Sequence, residues 1–230
     1  MKIGITLPQF SADARGMVAA AQRAQAAGLD GVFVYDHYPR PGRPQALHGH
    51  VMLGALAVAT QDITIGMLVA RVGVVPDGVL ISSMRTAARL APGRFVAGLG
   101  VGDRESDVED EALGIARPSL DERFTRLEAI AAALMHDGIE VWVAGRSRRA
   151  ATVTAALGAK RNLWEPTDTQ LKDACAEGPV TWGATGDIAA DTLRTLADAG
   201  VEYAVAAPHK PSAPDAAERV MSAKEQAGLP

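Results

Sequence analysis

The chain has 230 residues, a formal net charge of −4 and a hydrophobic fraction of 48%. This apolar fraction suffices for a substantial core, and the scattered lysines and arginines form no basic footprint, which argues against a nucleic-acid-binding protein. The single cysteine, Cys175, excludes an internal disulfide and is typical of a reducing compartment. The apolar runs are too short to span a membrane, and the first residues show no signal-peptide pattern. We therefore expect a cytoplasmic protein with no membrane partner.

Short segments rich in β-forming residues alternate with alanine-rich segments of helical period. In chain order, the predicted strands cover residues 2–7, 31–35, 63–68, 94–99, 140–144, 161–164, 180–182 and 202–206. The predicted helices cover residues 14–27, 47–60, 79–90, 120–136, 148–157, 168–176, 188–199 and 214–227. Eight strands alternating with eight helices predict a parallel (β/α)8 TIM barrel. A doubly wound open sheet is the alternative because the sixth strand is weak. No linker interrupts the pattern, so we expect a single domain over residues 1–230.

In such a barrel, functional side chains collect beyond the carboxyl ends of the strands. Asp36 and His37 follow the second predicted strand. A histidine beside a carboxylate at a strand end can titrate near neutral pH and transfer a proton. The alternative is a histidine in a solvated loop or in a structural hydrogen bond. This pair is the best candidate for acid–base chemistry.

The fourth predicted strand leads into three glycines at alternate positions: Gly98, Gly100 and Gly102. Their spacing does not match the dinucleotide-binding fingerprint, because Gly102 is not at the position that the third glycine of that motif requires. In addition, no helix begins immediately after them. Small residues here let the backbone lie flat against a ligand and present Asp103 to it. That carboxylate either orients a substrate or moves a proton, or it pairs with Arg104 or Arg71.

Gly145, Arg146 and Ser147 lie between the fifth predicted strand and the following helix. Free N–H groups at a helix N-terminus, together with a guanidinium and a hydroxyl, form an anion site suited to a cofactor phosphate. An ordinary serine N-cap is the alternative. The other histidines lack partners at metal-ligand spacing, so we expect no metal site.

These strand ends, taken in order, resemble the luciferase-like monooxygenase superfamily, particularly its branch that uses the deazaflavin coenzyme F420. The matching segments cover residues 2–9, 26–37, 56–66, 90–102, 112–114, 122–123 and 142–147. They extend from residue 2 to residue 147. As an ordered set they are much more specific than any single motif.

The resemblance implies a luciferase-like barrel with the cofactor ring across its carboxyl-terminal mouth. Asp36 and His37 match the pair after strand two, where deazaflavin enzymes often place a proton-transferring histidine. Asp103 matches a position that is often acidic and catalytic. Leu68 and Val69 match a bulge in strand three, often with a non-prolyl cis peptide behind the ring.

Two further parts of the cofactor site follow from the same resemblance. Ser106 matches a polar cofactor contact. Gly145, Arg146 and Ser147 match the loop that receives the phosphate end of the cofactor.

The chain departs from the family pattern between the helix predicted over 120–136 and the strand predicted over 140–144. Family members carry a longer insertion there that covers the active site, whereas here the helix leads almost directly into the strand. We therefore expect a reduced lid and a more open site, which excludes water less well.

The resemblance predicts an oxidoreductase that uses F420 for hydride transfer to or from a small organic substrate. The alternatives are an FMN-dependent monooxygenase of the same fold and a non-catalytic protein that binds a flavin or F420. The resemblance also implies a homodimer, and alanine-rich helical faces such as that of residues 14–27 would permit close packing across a two-fold axis.

Overall fold

The computed structural model describes residues 1–43, 45–104 and 106–229. Eight parallel strands form a closed barrel in chain order, with β8 pairing back onto β1. The strands are β1 (Lys2–Thr6), β2 (Gly31–Val34), β3 (Thr64–Arg71), β4 (Phe95–Gly100), β5 (Glu140–Ala144), β6 (Lys160–Trp164), β7 (Val180–Thr185) and β8 (Tyr203–Ala207). The predicted (β/α)8 barrel is confirmed, including its weak sixth strand, and the open-sheet alternative is wrong.

Helices surround the barrel, and all but the last lie in the connections between successive strands. They are α1 (Ala14–Ala26), α2 (Gly49–Ala59), α3 (Asp77–Leu90), α4 (Asp107–Ala112), α5 (Leu120–His136), α6 (Arg148–Leu157), α7 (Asp168–Glu177), α8 (Ala190–Asp198) and α9 (Ala216–Gln226). Within the described residues, no helix is long and apolar enough to cross a membrane.

The continuous apolar character of the strands follows from burial on both of their faces. Every residue of β2 and β4 is buried. Their outward side chains pack against the helices and their inward side chains fill the barrel, as expected for a parallel sheet covered by crossover helices.

A separate cluster of large side chains fills the barrel interior: Phe33, Leu68, Val96, Trp142, Tyr203 and Val205. The ring centroid of Trp142 lies 5.3 Å from that of Phe33 and 5.1 Å from that of Tyr203. Gly66 makes room for this packing, since a Cβ there would come within 2.9 Å of the Phe33 ring. The interior is therefore a packed core rather than a channel.

The segment between β4 and β5 differs from the prediction in one respect. A short helix, α4, precedes α5, and the sequence analysis assigned no helix there. Its sequence, Asp-Val-Glu-Asp-Glu-Ala, has too little apolar periodicity to indicate a helix. The predicted short connection is confirmed, because only residues 137–139 separate α5 from β5.

Candidate active site

A cavity of about 460 Å³ opens at the carboxyl-terminal mouth of the barrel. Eight of the nine predicted site residues line it: Asp36, His37, Leu68, Val69, Asp103, Ser106, Gly145 and Arg146. Ser147 does not belong to the lining. The order of strand ends along the chain therefore brings together residues that lie up to 110 positions apart, counted from Asp36 to Arg146.

The end of β3 forms one wall of this cavity. The pairing of β3 with β4 shifts register between Met67 and Ala70, and the peptide bond from Leu68 to Val69 is cis. The structure therefore contains the bulge and the non-prolyl cis peptide that the family resemblance implies. Together with Ala144 and Trp164, the two bulge residues give the cavity an apolar side.

His37 extends into the cavity from the end of β2 and is held by a carboxylate. Its Nδ1 lies 3.0 Å from both Oε1 and Oε2 of Glu109, a fully buried residue of α4. The backbone N–H of Tyr38 donates to the same carboxylate at 3.2 Å. The His37 side chain is 32% exposed, so the ring is fixed on one side and accessible on the other.

Arg71, at the end of β3, connects three buried carboxylates next to His37. Its backbone N–H donates to Asp36 Oδ2 at 2.8 Å, and its Nη1 donates to Asp110 Oδ1 at 3.0 Å. Its Nη2 lies 3.3 Å from Glu109 Oε2. Burial raises the pKa of Asp110, and the positive charge of Arg71 opposes that rise. The guanidinium therefore allows several acidic groups to share one buried region.

Part of the Arg71 guanidinium is unsatisfied. Its Nε and Nη2 atoms are buried and make no hydrogen bond within the described part of the chain, and Nη2 has only its ion-pair contact with Glu109. Buried donors of this kind cost free energy unless they find an acceptor. Because Arg71 lines the cavity, an oxygen atom of a ligand could supply one.

Gln9 orders the β2 end from the opposite side. Its side-chain amide donates to the carbonyl oxygens of Tyr35 and Leu47 at 2.8 Å each, and its Oε1 accepts from the Tyr35 N–H at 2.6 Å. The Tyr35 hydroxyl in turn donates to Thr6 Oγ1 at 2.8 Å. These bonds fix the backbone that leads into Asp36 and His37.

Asp103 makes local contacts at the start of α4. Its Oδ1 accepts from the backbone N–H and the hydroxyl of Ser106, at 3.0 and 2.9 Å. Its backbone carbonyl accepts from Arg117 Nη1 at 2.7 Å. The carboxylate is exposed at the edge of the cavity, so it is accessible to a ligand while Ser106 restrains it.

The three glycines around β4 have different reasons for being small. A Cβ on Gly98 would collide with the backbone carbonyl of Met67, and one on Gly100 would lie 2.6 Å from Val69 Cγ2. Gly102 has a positive φ of 70°. Gly98 is absent from the cavity lining, so close packing against the β3 bulge explains it better than the predicted approach to a ligand.

The loop after β5 contains the serine N-cap and an exposed arginine at the cavity. Ser147 is the N-cap of α6, and its hydroxyl accepts from the Ala150 N–H at 3.2 Å. Arg146 is exposed at the cavity and donates to the Glu165 carbonyl at 3.2 Å through one nitrogen. Arg146 keeps further guanidinium hydrogens beside the N-terminus of α6, whereas the Ser147 hydroxyl has a capping role.

The sequence analysis missed Glu109 as a functional candidate, and it considered Arg71 only as a partner for Asp103. Glu109 lies in the acidic run of α4, which by itself suggests a solvated surface. The only available signal was the demand of a strand-end histidine for a carboxylate. In the described part of the chain, no cluster of His, Cys, Asp or Glu side chains is arranged to hold a metal ion.

Residues 1–134, more than half of the chain, match the family model of luciferase-like monooxygenases. The chain belongs to this family. An F420-dependent glucose-6-phosphate dehydrogenase from Nakamurella multipartita is 31% identical over 205 residues, which are 80% of this chain and 57% of that protein. Matches to three proteins with this description cover 35–57% of their lengths, so the chain spans about half the length of the curated relatives it matches.

Solved structures share the fold of this luciferase-like protein at low sequence identity. An F420-dependent secondary alcohol dehydrogenase in complex with an F420–acetone adduct superposes with a TM-score of 0.76 at 12% identity, covering 99% of both chains. Riboflavin lyase with modified FMN superposes with a TM-score of 0.75 at 11% identity, covering 100% of this chain and 92% of the other. The same barrel therefore occurs in structures with either cofactor type.

Proposed function

We propose that this protein is an oxidoreductase that uses coenzyme F420 to transfer hydride to or from a small organic substrate. The observation that carries the proposal is the convergence of eight predicted site residues on one cavity at the carboxyl-terminal mouth, with His37 accessible inside it. The family match and the F420-dependent relatives support this choice of cofactor. The single cysteine supports a cytoplasmic location.

The cavity offers the chemical groups that a deazaflavin requires. Its apolar side, formed by Leu68, Val69, Ala144 and Trp164, suits the face of an aromatic ring. The unsatisfied N–H groups of Arg71 suit a carbonyl or other oxygen at the edge of such a ring. Arg146 and the N-terminus of α6 suit a phosphate. When bound, F420 supplies the hydride-transferring carbon.

The chain's own residues would manage the proton that accompanies the hydride. His37 has the exposure to reach a substrate hydroxyl or carbonyl and a carboxylate partner that holds its ring in place. Asp103, restrained by Ser106 at the cavity edge, would orient the substrate or assist the proton transfer. The short α5–β5 connection leaves the cavity open, so we expect weak binding of small substrates.

The first experiment is a fluorescence titration of the purified protein with F420 and, separately, with FMN. Micromolar binding of F420 with little binding of FMN is the expected result. Binding of FMN alone would favour the FMN-dependent monooxygenase. Binding of neither would contradict the proposal and its site residues. F420 binding without turnover across a panel of alcohols and aldehydes would indicate a non-catalytic carrier.

Two variants separate cofactor binding from chemistry. His37→Ala should retain F420 affinity and lower turnover by about 10²- to 10⁴-fold. Arg146→Ala should weaken F420 binding about tenfold, because a charge-assisted bond to phosphate is lost. Arg148→Ala is the matched control, since this exposed arginine of α6 is not part of the cavity lining. Equal loss of affinity in both arginine variants would contradict the assigned phosphate site.

We also propose that the protein forms a homodimer, through α2 and α3. Helix α2 contains no Asp, Glu, Lys or Arg. Val51 and Val58 on α2 are 68% and 71% exposed, and Val79 on the neighbouring α3 is 56% exposed. A helix that is apolar all round is usually covered on every side. The outward face of α1 carries exposed Arg15 and Arg23 instead, so α2 replaces residues 14–27 as the proposed contact.

Sedimentation velocity tests the dimer. The wild-type protein should sediment as a dimer, and the double variant Val51→Glu/Val58→Glu should sediment as a monomer. Arg15→Glu on α1 is the control and should leave the dimer intact. A monomeric wild-type protein would contradict the proposal.

A further inference from the structure

The contact between His37 and Glu109 joins two segments 72 residues apart in the chain. Both carboxylate oxygens lie 3.0 Å from His37 Nδ1, and Glu109 has no exposed surface. Two aromatic rings also restrain the imidazole, with centroid distances of 5.6 Å to Phe10 and 5.8 Å to Tyr35. The ring is thus fixed by one charged contact and two apolar ones.

Glu109 is surrounded by hydrogen-bond donors on its other sides. It receives the N–H of Tyr38 at 3.2 Å and lies 3.3 Å from Arg71 Nη2 and 3.8 Å from Arg40 Nε. All three of these groups are hydrogen-bond donors. An ionised carboxylate accepts hydrogen bonds and cannot donate them. The atom of His37 that faces it must therefore carry a proton.

We propose that Glu109 is a positioning residue that keeps the proton of neutral His37 on Nδ1 and leaves the Nε2 lone pair for the cavity. A solvated histidine prefers the opposite tautomer, with the proton on Nε2. The bond made by one ring nitrogen decides the role of the other. With Nδ1 occupied, Nε2 becomes the atom that accepts a proton from a substrate group.

The charged groups around His37 come from separate segments of the chain, so the Glu109 contact can be tested by itself. Asp36 and Arg40 belong to its own segment, Arg71 comes from β3, and Glu109 and Asp110 come from α4. Asp110 bonds Arg71 and is the neighbour of Glu109 in the chain. It therefore provides a matched control that removes a buried carboxylate from the same network without removing the His37 contact.

Nitrogen-15 NMR of the ring nitrogens tests the tautomer in the protein without cofactor. The chain has five histidines, and the spectrum of His37→Gln assigns the His37 signals by their loss. The spectra are recorded at a pH high enough to keep the imidazole neutral, where the wild-type protein should show a protonated Nδ1 and an unprotonated Nε2. Glu109→Gln should shift His37 toward the Nε2-protonated form, because a neutral amide can donate to Nδ1 as well as accept from it. Asp110→Asn should leave the wild-type tautomer unchanged.

A wild-type spectrum with the proton on Nε2 would overturn the proposal, and this measurement needs no folded variant. An unchanged tautomer in folded Glu109→Gln would also overturn it. The role of the pair in turnover rests on the proposed function. If that holds, Glu109→Gln should lower kcat about 100-fold with little change in F420 affinity. If the protein shows the expected tautomer but does not bind F420, the proposed function is contradicted and the positioning role of Glu109 still holds.

Discussion

The two mouths of the barrel both carry a cavity and charged side chains, but they arrange the charges differently. The carboxyl-terminal mouth buries Arg71 with Glu109 and Asp110, and some of its donors stay unsatisfied. The amino-terminal mouth has a cavity of about 400 Å³. There, Lys160 lies 2.9 Å from both Glu140 and Glu202, and all three side chains are between 31% and 47% exposed.

The two arrangements differ in the free energy that they cost. Burying an ion network is expensive, and equivalent apolar packing would often be at least as stable. Exposed ion pairs contribute little to stability but also cost little. Among the ion pairs of the described residues, those in which both side chains are less than 10% exposed lie at the mouth where functional residues of such folds collect. The buried network is therefore best explained by what it positions.

Arg71→Met is the largest expected perturbation. Removing the cation leaves Glu109 and Asp110 buried beside each other, so we expect a loss of about 3–5 kcal/mol in the free energy of unfolding at pH 8. Arg85→Met is the matched control, because the Arg85–Asp137 pair, at 2.6 Å, is partly exposed. Its loss should be less than about 1 kcal/mol. Urea unfolding measures both.

The same variant has a diagnostic pH dependence. Burial raises the pKa of Asp110, and Arg71 opposes that rise; removal of Arg71 should therefore raise the pKa further. A carboxyl group with a raised folded-state pKa stabilises the fold below its unfolded pKa and loses that contribution as the pH rises through the folded pKa. The loss in the free energy of unfolding caused by Arg71→Met should therefore be smaller at pH 5 than at pH 8. An equal deficit at both values would mean that lost packing, rather than unpaired charge, causes the instability.

The contrast between the mouths also shows what the sequence could predict. Strand ends are visible as the last apolar residues before polar ones, and a closed barrel brings those ends together. Asp36, His37 and Arg146 could therefore be assigned to one cavity without knowledge of any contact. The bulge at Leu68 and Val69 came from the family resemblance, since nothing in the local sequence indicates it.

Contacts between distant segments could not be predicted in this way. Glu109 lies among four acidic residues within α4, and which of them turns inward depends on the path of the chain after β4. Likewise, the hydroxyl of Ser147 caps α6 instead of lining the cavity. Both outcomes depend on local side-chain geometry that residue order alone leaves open.

Arg94→Ala tests whether the amino-terminal side of the barrel serves stability alone. This guanidinium donates to the carbonyl oxygens of Ala57, Thr60 and Ile63 at 2.5–3.2 Å, and so binds the end of α2 to the start of β3. Without the Arg94 guanidinium, these carbonyl oxygens lose their hydrogen bonds, which should cost about 2–4 kcal/mol in the free energy of unfolding. Exposed Arg89 on α3 is the control. F420 affinity should not change, and a marked loss of affinity in a folded Arg94→Ala protein would break the proposed division between the two mouths.

Lys160→Met should produce the smallest effect and sharpens the comparison most. Burial disfavours ionisation of Glu140, but hydrogen bonds from Trp142 and Lys160 outweigh it and hold the pKa of Glu140 below its usual value. A carboxyl group with a lowered pKa stabilises the fold above its unfolded pKa, and this contribution is lost as the pH falls through the folded pKa. Because both partners are partly exposed, the variant should lose at most about 1 kcal/mol at pH 7. Thermal unfolding in low salt should show this difference, and acid or high salt should abolish it. A loss as large as that of Arg71→Met would mean that the amino-terminal charges are as strongly coupled as the buried network, and the distinction between the mouths would then fail.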